Sequence, residues 1–148
     1  MNNCEISINS ISKEELYNIH FLCDNDFIPA LSSRVDLKEY TTKLYKNADF
    51  VILRKDNIIA GLVALYCNDF DNYSAYISSV CILPEFRGLK LGNVLIEECI
   101  KYCKEKGMKS ITLEVSKENL VALNLYSKFG FKFSDGNESQ LLMKKSIN

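Results

Sequence analysis

The sequence holds one histidine, no CxxC pair among its six cysteines, and no apolar run near the roughly 18 residues that a membrane-spanning helix needs. Each scarcity removes a class of protein. With His20 alone, the Ser/His/Asp and Cys/His reaction schemes have a single possible base, and no serine or cysteine motif stands beside it. His20 falls on the expected first helix, where a surface or half-buried place suits it. Cys4, Cys23, Cys67, Cys81, Cys99 and Cys103 sit mostly among apolar neighbours, so they read as reduced core thiols rather than a disulfide framework. Cys99 and Cys103 stand four apart on an expected helix, yet no histidine or second cysteine pair lies at ligand spacing, and no metal is expected.

An excess of one charge is missing too. Eighteen basic residues against nineteen acidic give a net charge of −1 and a pI near 5.9, so no global field draws the chain to nucleic acid or an anionic membrane. Any anion site must be local. The opening MNNCEISINS has neither the basic nor the apolar segment of a secretory signal, and the expected location is the cytoplasm. With 47% hydrophobic and 25% charged residues, the 148-residue chain is expected to form one domain over residues 1–148.

What is present reads in order along the chain. CEISINS alternates as a strand does, SKEELYNIHFL opens with a serine and two glutamates as a capped helix does, and DLKEYTTKLYKN continues as a second helix after the loop CDNDFIPALSSRV. ADFVILRK and IIAGLVALYC are strands joined at Asp56 and Asn57, a hairpin turn, and YSAYISSVCIL follows after the polar NDFDN. The segment PEFRGLKLGNVLIEECI then opens a helix that ends near Gly107. KSITLEV is the next strand, ENLVALNLYSKFG a helix closed by glycine, and FKF and SQLLMKK are closing strands. The order β-α-α-β-β-β-α-β-α-β-β implies a mixed α/β (α+β) domain built on a single central sheet flanked by helices.

Chemistry concentrates where the third helix begins. A helix N-terminus offers unpaired N–H groups and the positive end of the macrodipole, and Gly88 and Gly92 clear side chains from that turn while Arg87 and Lys90 add charge. A pyrophosphate suits such a cradle. GK followed by Ser or Thr is absent and so is GxGxxG, which disfavours nucleoside triphosphates and dinucleotides. Tight packing of a strand-to-helix turn would use the same glycines.

The turn Arg87, Gly88, Leu89, Lys90, Leu91, Gly92, preceded by VCILPEF, resembles the coenzyme-binding motif of the GCN5-related N-acetyltransferases. A second segment, LEVSKENLVALNLYSKFGF at 113–131, is similar to the other hallmark of that family, and the element order fits it from residue 4 to 145. The C-terminal half resembles the ribosomal-protein alanine N-acetyltransferases within it. One position departs, since Lys90 stands where the family has glycine. The resemblance implies the acyl-CoA N-acyltransferase fold and acetyl-CoA as acyl donor, with its pyrophosphate on the N–H groups of residues 88–93, namely Gly88, Leu89, Lys90, Leu91, Gly92 and Asn93. It places the pantetheine arm along the backbone of Val80, Cys81 and Ile82, whose side chains can equally be core, and gives the Ile82 N–H to the thioester carbonyl.

By the same resemblance Glu114 is the base, Tyr126 the acid at the leaving sulfur as well as a coenzyme contact, and Asn119 a further coenzyme contact. Residue chemistry agrees with part of this. Ile111, Leu113 and Val115 share one strand face, which leaves Thr112 and Glu114 on the other, and a carboxylate on an interior strand is costly unless it lines a cleft. Glu114 paired with a lysine, Tyr126 as a core ring with Ala122, Leu123 and Phe129, and Asn119 as a first-turn residue are the plain alternatives. No residue is placed as a covalent acyl carrier, and the resemblance implies direct transfer in a ternary complex.

The resemblance implies that the acceptor meets the loop FIPALSSRV and the closing FSDGNES. Arg34 suits a carboxylate or phosphate, while Ser32, Ser33 and Tyr73 suit sugar hydroxyls or a peptide backbone. A small amine, an amino sugar among them, and a protein N-terminus both remain open acceptors, the small molecule ahead. A non-catalytic coenzyme-binding module is the competing class, and an ATP-binding regulatory domain a third. Closing strands of this fold can pair between subunits, so a monomer or a homodimer is expected, the dimer favoured.

Overall fold

The structure is a computed structural model that describes residues 4–147. The expected element order is observed: β1 (Cys4–Ile8), α1 (Lys13–Leu22), α2 (Leu37–Asn47), β2 (Asp49–Lys55), β3 (Ile58–Asp69), β4 (Ser74–Ile82), α3 (Leu91–Glu105), β5 (Ser110–Ser116), α4 (Leu120–Lys128), β6 (Lys132–Gly136) and β7 (Gln140–Ser146). Local chemistry explains several boundaries. Ser12 accepts from the Glu15 N–H while Glu15 reaches back to the Ser12 N–H, which closes the start of α1 as a capping box. Asp36 caps α2 by accepting the Glu39 N–H. Asp56 and Asn57 both take positive φ, as the two-residue hairpin between β2 and β3 demands. The loop at 23–35 differs from a plain connection in carrying two 3-10 turns, Asp24–Asp26 and Leu31–Ser33.

The described strands form one seven-stranded sheet in the order β1-β2-β3-β4-β5-β7-β6, antiparallel except for the β4–β5 pair. One face packs against α3 and α4 through Val63, Leu65, Ile77, Leu95, Ile96, Ile111, Leu113 and Tyr126. The other packs against α1 and α2 through Leu16, Ile19, Leu44, Ile52 and Leu62. Both faces being covered explains why β2 and β3 read as nearly continuous apolar runs.

Two irregularities shape the middle of the sheet. Ala64 pairs with Ser79 and Leu65 with Ile77, so Ser78 is an extra residue, a bulge in β4. The bulge switches the strand's faces: Ala75 and Ile77 point to the α3/α4 core, whereas Cys81 points to the α1/α2 core. At the same level β4 and β5 part. Their parallel pairing ends at Ile77 with Leu113, although β4 stays on β3 as far as Ile82 and β5 stays on β7 as far as Ser116. The sheet therefore opens into a wedge between its two central strands.

α3 sits close over that wedge because Gly61 gives it room. A Cβ at Gly61 would lie 2.8 Å from the Cys81 carbonyl oxygen and 2.9 Å from Cδ1 of Leu95. Gly61→Ala is expected to lower stability by about 1–3 kcal/mol, seen as an earlier urea midpoint with an unchanged slope; an unshifted midpoint would mean that α3 can lift off the sheet at no cost.

Candidate active site

The wedge is the mouth of a cavity of about 840 Å³ that passes from the α3/α4 side of the sheet to the α1/α2 side. On the α3/α4 side its wall includes Val80, Ile82, Gly88, Lys90, Leu91, Gly92, Asn93, Asn119 and Tyr126. On the other it includes Arg34, Tyr76, Ser78, Ser79 and Glu114. Twelve of the residues expected at the site thus meet here, Arg87 completing the set. Cys81, Leu89, Ser32, Ser33 and Tyr73 do not.

Each of those five has a physical reason to be elsewhere. Cys81 is 1% exposed and turned by the bulge into the α1/α2 core beside Cys23. Its hydrogen bond with Cys23, with burial adding, pushes the Cys81 thiol well up, so it stays protonated and away from the cavity. Leu89 points outward from the turn. Ser32 is held by Asp24, whose carboxylate accepts the Ser32 N–H at 2.7 Å, and Ser33 donates to the Ala30 carbonyl at 2.6 Å. Tyr73 lies at the opposite end of β4 from Ile82, with its ring against Phe70 and under the Lys109 ammonium.

The turn before α3 is built for close approach to its backbone. Gly88 takes φ +82° with open space where a Cβ would stand, so the conformation and not crowding calls for glycine. Lys90 takes φ +59° at the N-cap and provides no side-chain cap, which leaves the first N–H groups of α3 to the cavity. A Cβ on Gly92 would come within 3.2 Å of Leu125. Oδ1 of Asn93 is buried with no partner among the described residues, an acceptor in the cavity wall that wants a donor. Free N–H groups for a phosphate, Lys90 and Lys128 in the wall, an unpaired β4 edge and an acceptor at Asn93 together fit a coenzyme with phosphates at one end and amides along its arm. Lys90→Gly relieves a left-handed side chain and is expected to raise the melting temperature by a few degrees, about 1 kcal/mol; a lower melting temperature would show that the lysine is held in favourable contact.

Arg87 lines the cavity differently from the expectation of a phosphate contact. It pairs with Asp26 and donates from Nη2 to the Ile82 carbonyl at 3.2 Å. The 23–35 loop is also tied at the other bank, where Gln140 donates to the Ile28 carbonyl at 3.3 Å. Asp26 and Ile28 thereby carry the loop across the wedge from the β4 side to the β7 side.

Glu114 is the first β5 residue beyond the last β4–β5 pair, on the face away from the Ile111, Leu113 and Val115 core. The ion pairs among the described residues are Arg54–Glu15 and Arg87–Asp26, and Glu114 has none. Its charge helps burial push the neighbouring Tyr76 hydroxyl up. Tyr126 is 8% exposed, packed edge-on to Phe131, and its hydroxyl has no partner among the described residues. Burial pushes that hydroxyl well up, so it holds its proton. Asn119 caps α4 by accepting the Ala122 N–H at 3.2 Å while lining the cavity, so both of its expected roles are structurally open.

Sequence reading missed Asp26, Tyr76, Ser78, Ser79 and Gln140. Two adjacent serines inside the apolar run YISSVCIL were the one available signal. Among the described residues, no group of three or more His, Cys, Asp or Glu could hold a metal ion, and no helix is long and apolar enough to cross a membrane.

A parallel pair parted beside an uncapped helix N-terminus, with a carboxylate on one side and a protonated tyrosine on the other, is an arrangement that suits acyl transfer. Residues 13–131 match the model of the Acetyltransferase (GNAT) family, and the chain belongs to that family and is an N-acetyltransferase. It is 33% identical over 109 residues to a Bacillus subtilis protein provisionally named a [ribosomal protein bS18]-alanine N-acetyltransferase, covering 68% of this chain and 70% of that one. It is 37% identical over 62 residues to the spermidine N(1)-acetyltransferase of Thermoplasma acidophilum, covering 42% and 38%. The fold is shared with yncA of Salmonella typhimurium, solved with its cofactor acetyl-CoA, at a TM-score of 0.75 and 15% identity over 97% of this chain and 94% of that one.

Proposed function

We propose that the protein transfers the acetyl group of acetyl-CoA directly to a primary amine of a small molecule, in the cytoplasm. The observation that carries this reading is the wedge, which lets donor and acceptor enter from opposite faces of one sheet and meet between β4 and β5. On the donor face the N–H groups at the start of α3 take the phosphates, and the free edge of β4 pairs with the pantetheine amides. The Ile82 N–H donates to the thioester oxygen as charge gathers there. The coenzyme supplies the activated acetyl group; the rest of the chemistry is proton management by the chain.

An amine of pKa near 10 is almost wholly protonated at neutral pH, and freeing it costs about 4 kcal/mol. Glu114 takes that proton at the acceptor end. Tyr126 gives its proton to the sulfur as the C–S bond breaks and the C–N bond forms, and the second proton that the nitrogen sheds on becoming an amide restores the phenol. Cys81, buried and protonated, is no acyl carrier, which supports direct attack.

The loop that spans the wedge supports a small acceptor. Tied to Arg87 at one bank and Gln140 at the other, the loop crosses the acceptor side of the cavity. A small amine suits that side, and an amino sugar is one such amine. A protein N-terminus is the second reading, favoured by the similarity to the Bacillus subtilis protein. Six free thiols, five of them buried, suit a reducing compartment.

Calorimetric titration with acetyl-CoA, with ATP and dephosphorylated coenzyme as controls, tests the donor; thiol release with a panel of amino sugars, polyamines and N-terminal peptides tests the acceptor. Micromolar binding and release with a small amine are expected. No binding at millimolar acetyl-CoA would sink the reading, and binding without release from any amine would make the protein a coenzyme-binding module.

A further inference from the structure

His20 is the sole histidine and is completely buried, although a surface or half-buried place was expected for it. Both ring nitrogens are engaged: Nδ1 lies 2.8 Å from the Leu16 carbonyl oxygen and Nε2 lies 2.8 Å from Oγ of Ser79. A carbonyl only accepts, so Nδ1 carries the hydrogen, Nε2 is the acceptor, and the Ser79 hydroxyl donates to it. Desolvation lowers the tendency of this ring to take a second proton. Tyr40 of α2 packs edge-on against the imidazole at 5.7 Å and shares a hydrogen bond of 2.6 Å with Ser78, so ring and bulge are braced together.

The consequence falls on Ser79. Its hydrogen is committed to His20, and although Ser79 is only 3% exposed and also meets the Tyr40 hydroxyl, Oγ has two lone pairs and keeps acceptor capacity toward the cavity that it lines. Ser79 lies on the cavity wall just past the bulge, two residues beyond the last β4–β5 pair on the β4 bank, while Glu114 lies one residue beyond it on the β5 bank. Both side chains leave the sheet on the face opposite the α3/α4 core.

We propose that Ser79, oriented by His20, accepts one N–H of the incoming amine while Glu114, which has taken the ammonium proton on one oxygen, accepts the other N–H on its second. A neutral primary amine has two N–H groups and one lone pair, so two acceptors on opposite banks aim the lone pair along the wedge toward the acetyl carbon. A secondary amine has one N–H and leaves one acceptor without a partner, which sites of this kind reject. The site therefore selects primary over secondary amines. His20 is a positioning residue, and Ser79 touches the substrate. This assignment rests on the proposed transfer to an amine and adds to it the group that fixes the nitrogen.

Alaninamide and N-methylalaninamide are the probes, in a thiol-release assay with acetyl-CoA. Ser79→Ala is expected to raise the KM for alaninamide about tenfold and to remove most of the preference over the N-methyl form, with acetyl-CoA affinity by calorimetry unchanged. His20→Leu should act as Ser79→Ala does, whereas His20→Gln, whose amide oxygen can take the serine hydrogen, should recover most of the alaninamide KM. Should His20→Leu fail to fold, the wild-type protein still decides. Its single histidine gives one nitrogen-15 imidazole pattern, expected as the Nδ1–H tautomer with an Nε2 resonance that moves when alaninamide is added to the coenzyme-bound protein. The Nε2–H tautomer, a resonance that does not move at high millimolar alaninamide, or a Ser79→Ala enzyme with unchanged KM and preference would each overturn the proposal. Failure of the functional reading looks different, because the wild type then does not bind acetyl-CoA at all.

Discussion

Tyr126→Phe is expected to lower turnover about a hundredfold, as the loss of a positioned proton donor does, while leaving acetyl-CoA affinity and melting temperature essentially unchanged. The substitution is unusually clean here. The ring is 8% exposed and held edge-on by Phe131, contacts that phenylalanine keeps. The hydroxyl has no hydrogen-bond partner among the described residues, so its removal leaves no group orphaned and spares the protein a poorly solvated polar atom. A core role alone therefore predicts an equal or higher melting temperature and normal turnover. An acid role predicts the same melting temperature with slow turnover, because burial keeps the phenol protonated and ready to donate to the departing sulfur. Stopped-flow single-turnover rates with thiol release as readout separate the two, and a wild-type rate in Tyr126→Phe would leave the sulfur to be protonated by solvent.

Legibility in the sequence divides by range. Ser12 with Glu15, Asp56 with Asn57, and the alternation of Ile111, Leu113 and Val115 act over a few residues, and each was readable because its partner lies in the same short window. The glycine turn at 87–92 belongs to the same group, since a positive φ and a helix start are local facts. What shapes the site beyond that turn is pairing at a distance. Arg87 reaches Asp26 across 61 residues, His20 reaches Ser79 across 59, and Gln140 reaches Ile28 across 112. No periodicity records such pairs. The bulge at Ser78 is similar: it exists only relative to β3, and without it Cys81 would be read on the wrong face. Tyr73 was expected at the acceptor pocket for its chemistry, but strand direction puts it at the far end of β4.

Glu114→Gln is expected to reduce kcat/KM near neutral pH about a hundredfold, the usual contribution of a positioned base, with folding and coenzyme binding intact. Structure argues for a specific effect because the side chain is exposed to the cavity, lacks an ion pair among the described residues, and stands on a strand that keeps its pairing to β7 on both sides of the position. Glutamine preserves shape and can still accept a hydrogen bond, so only the ability to take a proton is lost. The pH dependence then gives the sign. As pH rises toward the amine's own pKa, solvent removes the proton that Glu114 would have taken, and the variant should approach the wild type; toward neutral pH the gap should widen. Parallel profiles offset by a constant factor would assign Glu114 to binding the ammonium group, and coincident profiles would return the proton to a water chain that does not need this carboxylate. Ser79→Ala offers the contrast, because an acceptor that orients the nitrogen without taking its proton should lower affinity for the amine at every pH and leave the shape of the profile alone.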